Sequence, residues 1–228
     1  MGTITGTTIL NNAITLLQDP SRVRWPDPEP LNWLNDGQRY IALQRPDANA
    51  ITGNIACVLG TKQSLPATGM RLIDITRNMG ATGSTPGNPV RLIDREILDA
   101  QVPTWHSQVA GTAASHYIYD DRNPKVFYVF PPLQAGINVE AVYSVAPVDL
   151  AALSNAITLD DIYAPVLTDY LLYRCWSKDA EYTGDTQRAA FYLSAVNAAL
   201  GMKTKIDVGL SPRANSAGTN PNVVNGKQ

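Results

Sequence analysis

The residues from Asp160 to Gly201, DDIYAPVLTDYLLYRCWSKDAEYTGDTQRAAFYLSAVNAALG, read as a helical hairpin whose first arm is apolar almost all the way round. A helix of that kind must be covered on several sides. The segment therefore reads either as an ordinary core hairpin or as a surface that neighbouring copies cover. Asp160 or Asp161 is placed to cap the first arm, with Pro165 in its opening turn. Ile162, Val166, Tyr170 and Tyr173 form one apolar stripe, and Leu167, Leu171 and Cys175 an adjacent one. Thr183-Gly184-Asp185 reads as the turn. Ala189, Leu193, Val196 and Leu200 then recur at helical spacing up to Gly201, a residue suited to a left-handed helix end. Ala190, Ala195, Ala198 and Ala199 keep the rest of that arm small, so another backbone can pack closely against it. Tyr173, Trp176, Ala195 and Ala198 are the candidate subunit-packing residues.

Upstream, Thr7 or Thr8 is placed to cap a first helix that Asp19-Pro20 stops. Asp27-Pro28 starts a second, which Arg45-Pro46 ends. From Ile51 to Val148 the pattern changes to short strand-like runs, IACVL, MRLIDIT, VRLIDREI, SHYIYD, VFYVF and NVEAVYSV, separated by turn residues. Helices are expected again only at Asp160. This order predicts an α+β fold: a helical bundle of two N-terminal and two C-terminal helices, an inserted antiparallel β-subdomain, and an extended C-terminal arm. The expected divisions are 1–49, 50–150, 151–202 and 203–228. The arm is rich in Gly, Pro, Asn and Ser, and from Gly209 onward it could reach roughly 60 Å fully extended at about 3.3 Å per residue. Arg71-Leu72-Ile73-Asp74 recurs as Arg91-Leu92-Ile93-Asp94, but the flanks differ and a repeat array needs more copies.

The formal net charge of -2 lacks the basic surplus of a general nucleic-acid binder. The two cysteines, Cys57 and Cys175, write neither a disulfide framework nor a zinc site and are expected to be buried in a reducing cytoplasm. The first 18 residues carry no charge, so they lack the basic start of a secretory signal, and no run is long enough to span a bilayer. The glycine-rich stretch Asn78–Pro89 has no Gly-Lys-Ser/Thr ending and reads as a flexible strand connection. His106 and His116 lack metal-ligand spacing. Asp120-Asp121 sits in a turn sequence beside Arg122 and Lys125. Along Phe127-Tyr128-Val129-Phe130 the rings alternate between faces of a strand, which makes sheet core rather than a stacking platform. No enzyme, cofactor or metal emerges.

The segments LNWLNDGQRYIALQRPDA (Leu31–Ala48), RLIDITRNMG with RLIDREILDAQVPTWH (Arg71–His106), YDDRNPKVFYVFPP (Tyr119–Pro132) and DIYAPVLTDYLLYRCWSKDAEY (Asp161–Tyr182) resemble the head-to-tail adaptor, or connector, proteins of tailed phages, including the tail tubular A type of short-tailed phages. The resemblance implies a virion neck protein, made in the host cytoplasm, that forms a dodecameric ring under the portal. The bundle would face the portal and the β-subdomain the next tail component or fibres, with packaged DNA passing through unread. The C-terminal arm would run between portal subunits, anchored by Leu210, Pro212, Arg213, Val223 and Val224. Two other classes stay open: a phage-borne carbohydrate hydrolase using Asp120, Asp121, Glu96 and His106, or a small glycan- or nucleic-acid-binding module using the aromatic β-region.

Overall fold

The computed structural model describes residues 2–178 and 183–210. It bears out the α+β class, with five α-helices and seven strands among the described residues. Helix α1 spans Gly6–Leu17. Its cap is Thr5, not Thr7 or Thr8: the Thr5 hydroxyl accepts the Thr8 N–H at 3.3 Å. Gln18, with φ 55°, ends the helix one residue before Asp19. Helix α2 (Pro28–Gln44) starts at the expected proline and stops at Arg45, the residue before Pro46. A 3₁₀ turn, Pro46–Asn49, leads out of the bundle.

The inserted subdomain is a two-sheet sandwich. One sheet has the order β1-β7-β3 and is antiparallel (β1 Ala50–Ala56, β3 Gly69–Gly80, β7 Asn138–Val145). The other has the order β2-β6-β5-β4 (β2 Gly60–Ser64, β4 Arg91–Leu92, β5 His116–Tyr119, β6 Val126–Leu133). Its β4–β5 pair is parallel, a departure from the all-antiparallel expectation. Between the sheets lies one apolar cluster that includes Ile55, Leu72, Ile75, Phe127, Val129, Val139 and Ala141. Ala50 pairs with Ser144 beside the bundle, and Ala56 with Asn138 at the far end, so the sandwich points away from the helices.

VRLIDREI is a strand for only two residues. From Arg95 to Gln101 it forms helix α3, so helices return well before Asp160. The second copy of the Arg-Leu-Ile-Asp tetrapeptide thus straddles a strand and a helix start, while the first lies wholly in β3. Arg-Glu-Ile-Leu-Asp-Ala-Gln consists mostly of good helix formers, and Arg95 bonds Asp99 four residues on at 3.2 Å. Leu98 of this helix joins Trp105, Ile118, Tyr128 and Phe130 in a small second core on the outer face of the four-stranded sheet. The alternation along β6 is as expected, with Phe127 and Val129 in the main core and Tyr128 and Phe130 on the opposite face.

The chain re-enters the bundle through a 3₁₀ turn, Asp161–Tyr163, which Asp160 caps by accepting the Ile162 N–H. Helix α4 (Ala164–Lys178) follows and packs against α1, α2 and helix α5 (Thr183–Leu210). Thr183-Gly184-Asp185 is already the first turn of α5, and Gly201 does not end it: the helix continues to Leu210. Gly37 brings α2 close to α4, since a Cβ there would stand 2.9 Å from a Tyr170 ring carbon and 3.0 Å from a Leu167 methyl.

Candidate functional site

Three of the four residues that a hydrolase reading would need are engaged in local structure. Asp121 pairs with Arg71 at 2.7 Å, whereas Asp120 accepts the Arg122 N–H inside its own turn. Glu96 is an exposed residue in the first turn of α3. His106 stacks on Trp105 with ring centroids 3.6 Å apart, and its Nδ1 lies 2.8 Å from the Thr61 hydroxyl. The carboxylate beside that stack is Asp99, which accepts the Trp105 indole N–H at 2.7 Å. This bond, with help from Arg95 and His106, holds the Asp99 carboxyl below its ordinary range. The result is a clamp that seats α3 on the sheet. The aromatic run of β6 is likewise core, partly covered by Trp105.

The informative surfaces are on the bundle. Helix α4 is central, and α1 and α5 pack on it from separate positions. The outward residues of α1 (Thr8, Asn11, Asn12, Thr15, Leu16) are uncharged and exposed. The outward residues of α5 (Ala190, Phe191, Ser194, Ala198, Met202) are also exposed and uncharged, although α4 and the start of α5 carry charge nearby. Of the residues assigned to subunit packing, Tyr173 is half-buried and meets Tyr170 edge-on at 5.6 Å. Trp176 is half-buried between Trp25, at 6.5 Å, and the Arg188 guanidinium, 4.6 Å from its ring centroid. Ala195 is half-buried and Ala198 exposed. Of the arm residues, Leu210 is the last helical residue of α5, while Pro212, Arg213, Val223 and Val224 lie outside the described residues.

Between α1 and α4 runs a groove of about 430 Å³ lined by Ile4, Thr8, Asn12, Asp161, Thr168 and Asp169 among others. At one end Asp161 accepts from the Thr3 hydroxyl (2.6 Å), the Thr3 N–H (2.7 Å) and the Ile4 N–H (3.0 Å). These donors pull its carboxyl below the usual range. Burial pushes Asp169 the other way. Both cysteines are free and buried, as expected, and burial raises the Cys57 thiol to about 12.

Sequence reasoning missed a set of buried amides that clasp backbone. Asn35 exchanges two hydrogen bonds with Leu150 (3.2 and 2.8 Å) and Asn78 does the same with Ala114 (both 2.8 Å). Gln63 does so with Val58 (both 2.8 Å), and Gln38 accepts the Thr158 N–H at 2.8 Å. The available signal was Asn35 and Gln38 lying one turn apart within the apolar stripe of Leu34 and Ile41 on α2.

Among the described residues there is no cluster of metal-ligating side chains, and no helix is long and apolar enough to cross a membrane. No curated protein matches the chain. The segments that resemble phage connectors fall inside a match to the model of the SU10 adaptor proteins over residues 4–221, nearly the full length, and on that match the chain belongs to the SU10 adaptor protein family.

Proposed function

We infer that this protein is a structural head-to-tail adaptor of a tailed phage, a virion neck component that joins portal to tail as a dodecameric ring and lines the DNA passage. The observation that carries the reading is the pair of uncharged outer faces on α1 and α5, set on separate helices around α4. A ring needs two different faces per subunit, one for each neighbour; the uncharged side chains of these faces ease that covering, with Arg22, bonded to Asn11 at 3.0 Å, and Asp169, beside Thr8 and Asn12, as the charges at the rim of the α1 face. The family match supports association with portal and tail proteins rather than turnover of a substrate. The acidic balance suits a channel that must not grip phosphates. The end of α5 at Leu210 and the segment after it, with Pro212, Arg213, Val223 and Val224, are the portal-docking arm. Many weak arms on one ring would act together through effective concentration.

Mass photometry of the purified chain alone and with portal tests this reading. A ring or a joint complex is expected; a chain that stays monomeric with portal present overturns it. Truncation after Val208 is expected to keep the helical circular dichroism and lose co-sedimentation with portal-containing heads.

A further inference from the structure

An edge strand offers unpaired N–H and C=O groups to any strand that approaches, and three of the four sheet edges here are guarded against that. The outer side of β3 is covered by the chain itself. Asn78 N–H bonds the Asn88 carbonyl at 3.0 Å, Gly87 N–H the Asn78 carbonyl at 2.8 Å, and Leu72 N–H the Pro124 carbonyl at 3.1 Å. Strand β4 is two residues long. Strand β2 is broken in register between Gly60 and Lys62 and carries the exposed Lys62 charge.

Strand β1 has none of these defences. Its sequence, Ala50-Ile51-Thr52-Gly53-Asn54-Ile55-Ala56, has no charge, no proline and no break in its register with β7. Cys57 N–H bonds the Ile137 carbonyl at 2.8 Å, so by alternation Ile51, Gly53 and Ile55 turn their backbone groups to β7, and Thr52, Asn54 and Ala56 turn theirs outward. No described residue bonds those outward groups. The side chains are open on the same flank. Ile51 lies opposite Tyr143 of the core, yet is 40% exposed where Ile55 is 5%. A Cβ at Gly53 would meet only the Tyr143 side chain. Glu140, opposite Asn54 on the outer face, is already paired with Arg77 at 3.0 Å.

The bundle delivers a segment to this edge. Helices α2 and α5 run in the same direction: the Tyr40 hydroxyl donates to the Asn197 side chain at 2.7 Å, and one turn on Gln44 and Arg45 line a small pocket with Leu200 and Gly201. There α2 stops and the chain turns into β1, whereas α5 continues to Leu210, roughly 13 Å further at about 1.5 Å per residue. Residues 211–228 follow. They can span roughly 60 Å at about 3.3 Å per residue, against about 23 Å for the length of β1.

We propose that the β1 edge binds the chain's own C-terminal segment, with Asn222–Gly226 adding beside β1 as a parallel eighth strand. The proposal does not depend on the adaptor reading. In strand addition main-chain bonds supply the affinity and alternate side chains the selectivity. From Ala214 to Gly226 the segment carries no charge, as β1 carries none. Pro221, which has no N–H, stands just ahead of the added stretch. Val223 and Val224 point to opposite faces of a strand, so one of them covers the open side of Ile51. A second copy offers only its own β1 as an unguarded edge, in a twofold pair. The tether favours the chain's own segment, because a short flexible link gives an effective concentration of about millimolar. On the adaptor reading, β1 and the portal compete for the arm, which leaves the edge when it docks.

Hydrogen exchange read by NMR on the full chain and on a chain ending at Leu210 tests the proposal, with circular dichroism to show that both fold. The Thr52, Asn54 and Ala56 amides are expected to exchange roughly tenfold or more slowly in the full chain, while those of Ile51, Gly53, Ile55 and the bundle are unchanged. Val223→Pro combined with Val224→Pro, which removes the donor whichever of the two faces β1, is expected to reproduce the truncation. A second readout places benzoylphenylalanine at Thr52 in a mixture of isotope-labelled and unlabelled full chains. Adducts to residues 219–228 of the same chain are expected. Equal exchange in the full and truncated chains, no adduct, or adducts that join labelled to unlabelled chains overturn the proposal, and a β1-to-β1 adduct of that last kind assigns the edge to a second copy. If the truncated chain loses helicity, the crosslink decides alone.

Discussion

Asn35 and Leu150 are joined by two reciprocal hydrogen bonds: the Asn35 amide donates to the Leu150 carbonyl at 3.2 Å and its oxygen accepts the Leu150 N–H at 2.8 Å. A side chain on α2 thereby acts as a strand partner for the segment that leaves β7, and both groups are buried. Asn35→Ala leaves two backbone groups without partners, each costing about 1–3 kcal/mol. Thermal melting should show a loss of several degrees, at roughly 2–4 °C per kcal/mol for a chain of this size. Asn35→Asp, which keeps the acceptor but buries a charge, should be no better.

Asn78 holds Ala114 in the same way inside the sandwich, and also donates to the Asn88 carbonyl at 2.8 Å. Hydrogen exchange of Asn78→Ala should show the Ala114 amide and the 85–90 segment losing protection before the bundle does. Equal loss across bundle and sandwich would mean that the two open as one unit.

Gly37 sets helix propensity against packing. Ala would favour α2 by about 1 kcal/mol, but its Cβ meets Tyr170 at 2.9 Å. That ring has neighbours in Tyr40 (5.4 Å) and Tyr173 (5.6 Å), so it cannot simply swing away. Overpacking of this kind costs roughly 1–3 kcal/mol. Gly37→Ala is therefore expected to lower the denaturation midpoint, and Gly37→Val to lower it further.

The Asp161 carboxylate gives the N-terminal segment a pH dependence. Its pKa in the folded state is depressed by the Thr3 and Ile4 donors, so its contribution is fully present above the ordinary aspartate value of about 3.9 and is lost as pH falls through the lower folded value. Limited proteolysis should find residues 3–5 protected at pH 6 and opened first below about pH 4. Asp161→Asn should show the opened pattern at pH 6.

Burial raises the Cys57 thiol to about 12, and Cys175 is also buried. Neither should react with iodoacetamide at pH 8 in the native chain, since the thiolate is the nucleophile. Both should label once denaturant unfolds it. Rapid native labelling of Cys57 would show that β1 frays from β7.

Legibility in the sequence followed the range of the interaction that decides each element. Pro28 and Pro46 bracket α2 because proline acts on its own turn, and the alternation of Phe127 to Phe130 needs only the pleat. In the 91–97 stretch Arg91 and Leu92 are strand, as their pattern suggests, but Ile97 continues that pattern only in sequence: the Arg95–Asp99 pair and the docking of Leu98 under Trp105 make the chain helical from Arg95. Gly201 looked like a helix end, yet left-handed geometry is only permitted by glycine, never required. The roles of Asn35, Gln38 and Asn78 were invisible because their partners lie 36 to 120 residues away along the chain.

Ala50 pairs with Ser144, so the roughly ninety residues between them leave and return at one point. Closing a floppy loop of that length costs about 4 kcal/mol of chain entropy. A folded sandwich has already met that cost and holds the two ends about 5 Å apart. For the bundle, the insertion then behaves as a short, stiff connection between α2 and the segment leading to α4. Contacts of α1 and α2 with α4, which span the insertion, are therefore expected to form at lower entropic cost once the sandwich has folded, whereas the α4–α5 pair, adjacent in sequence, does not depend on it.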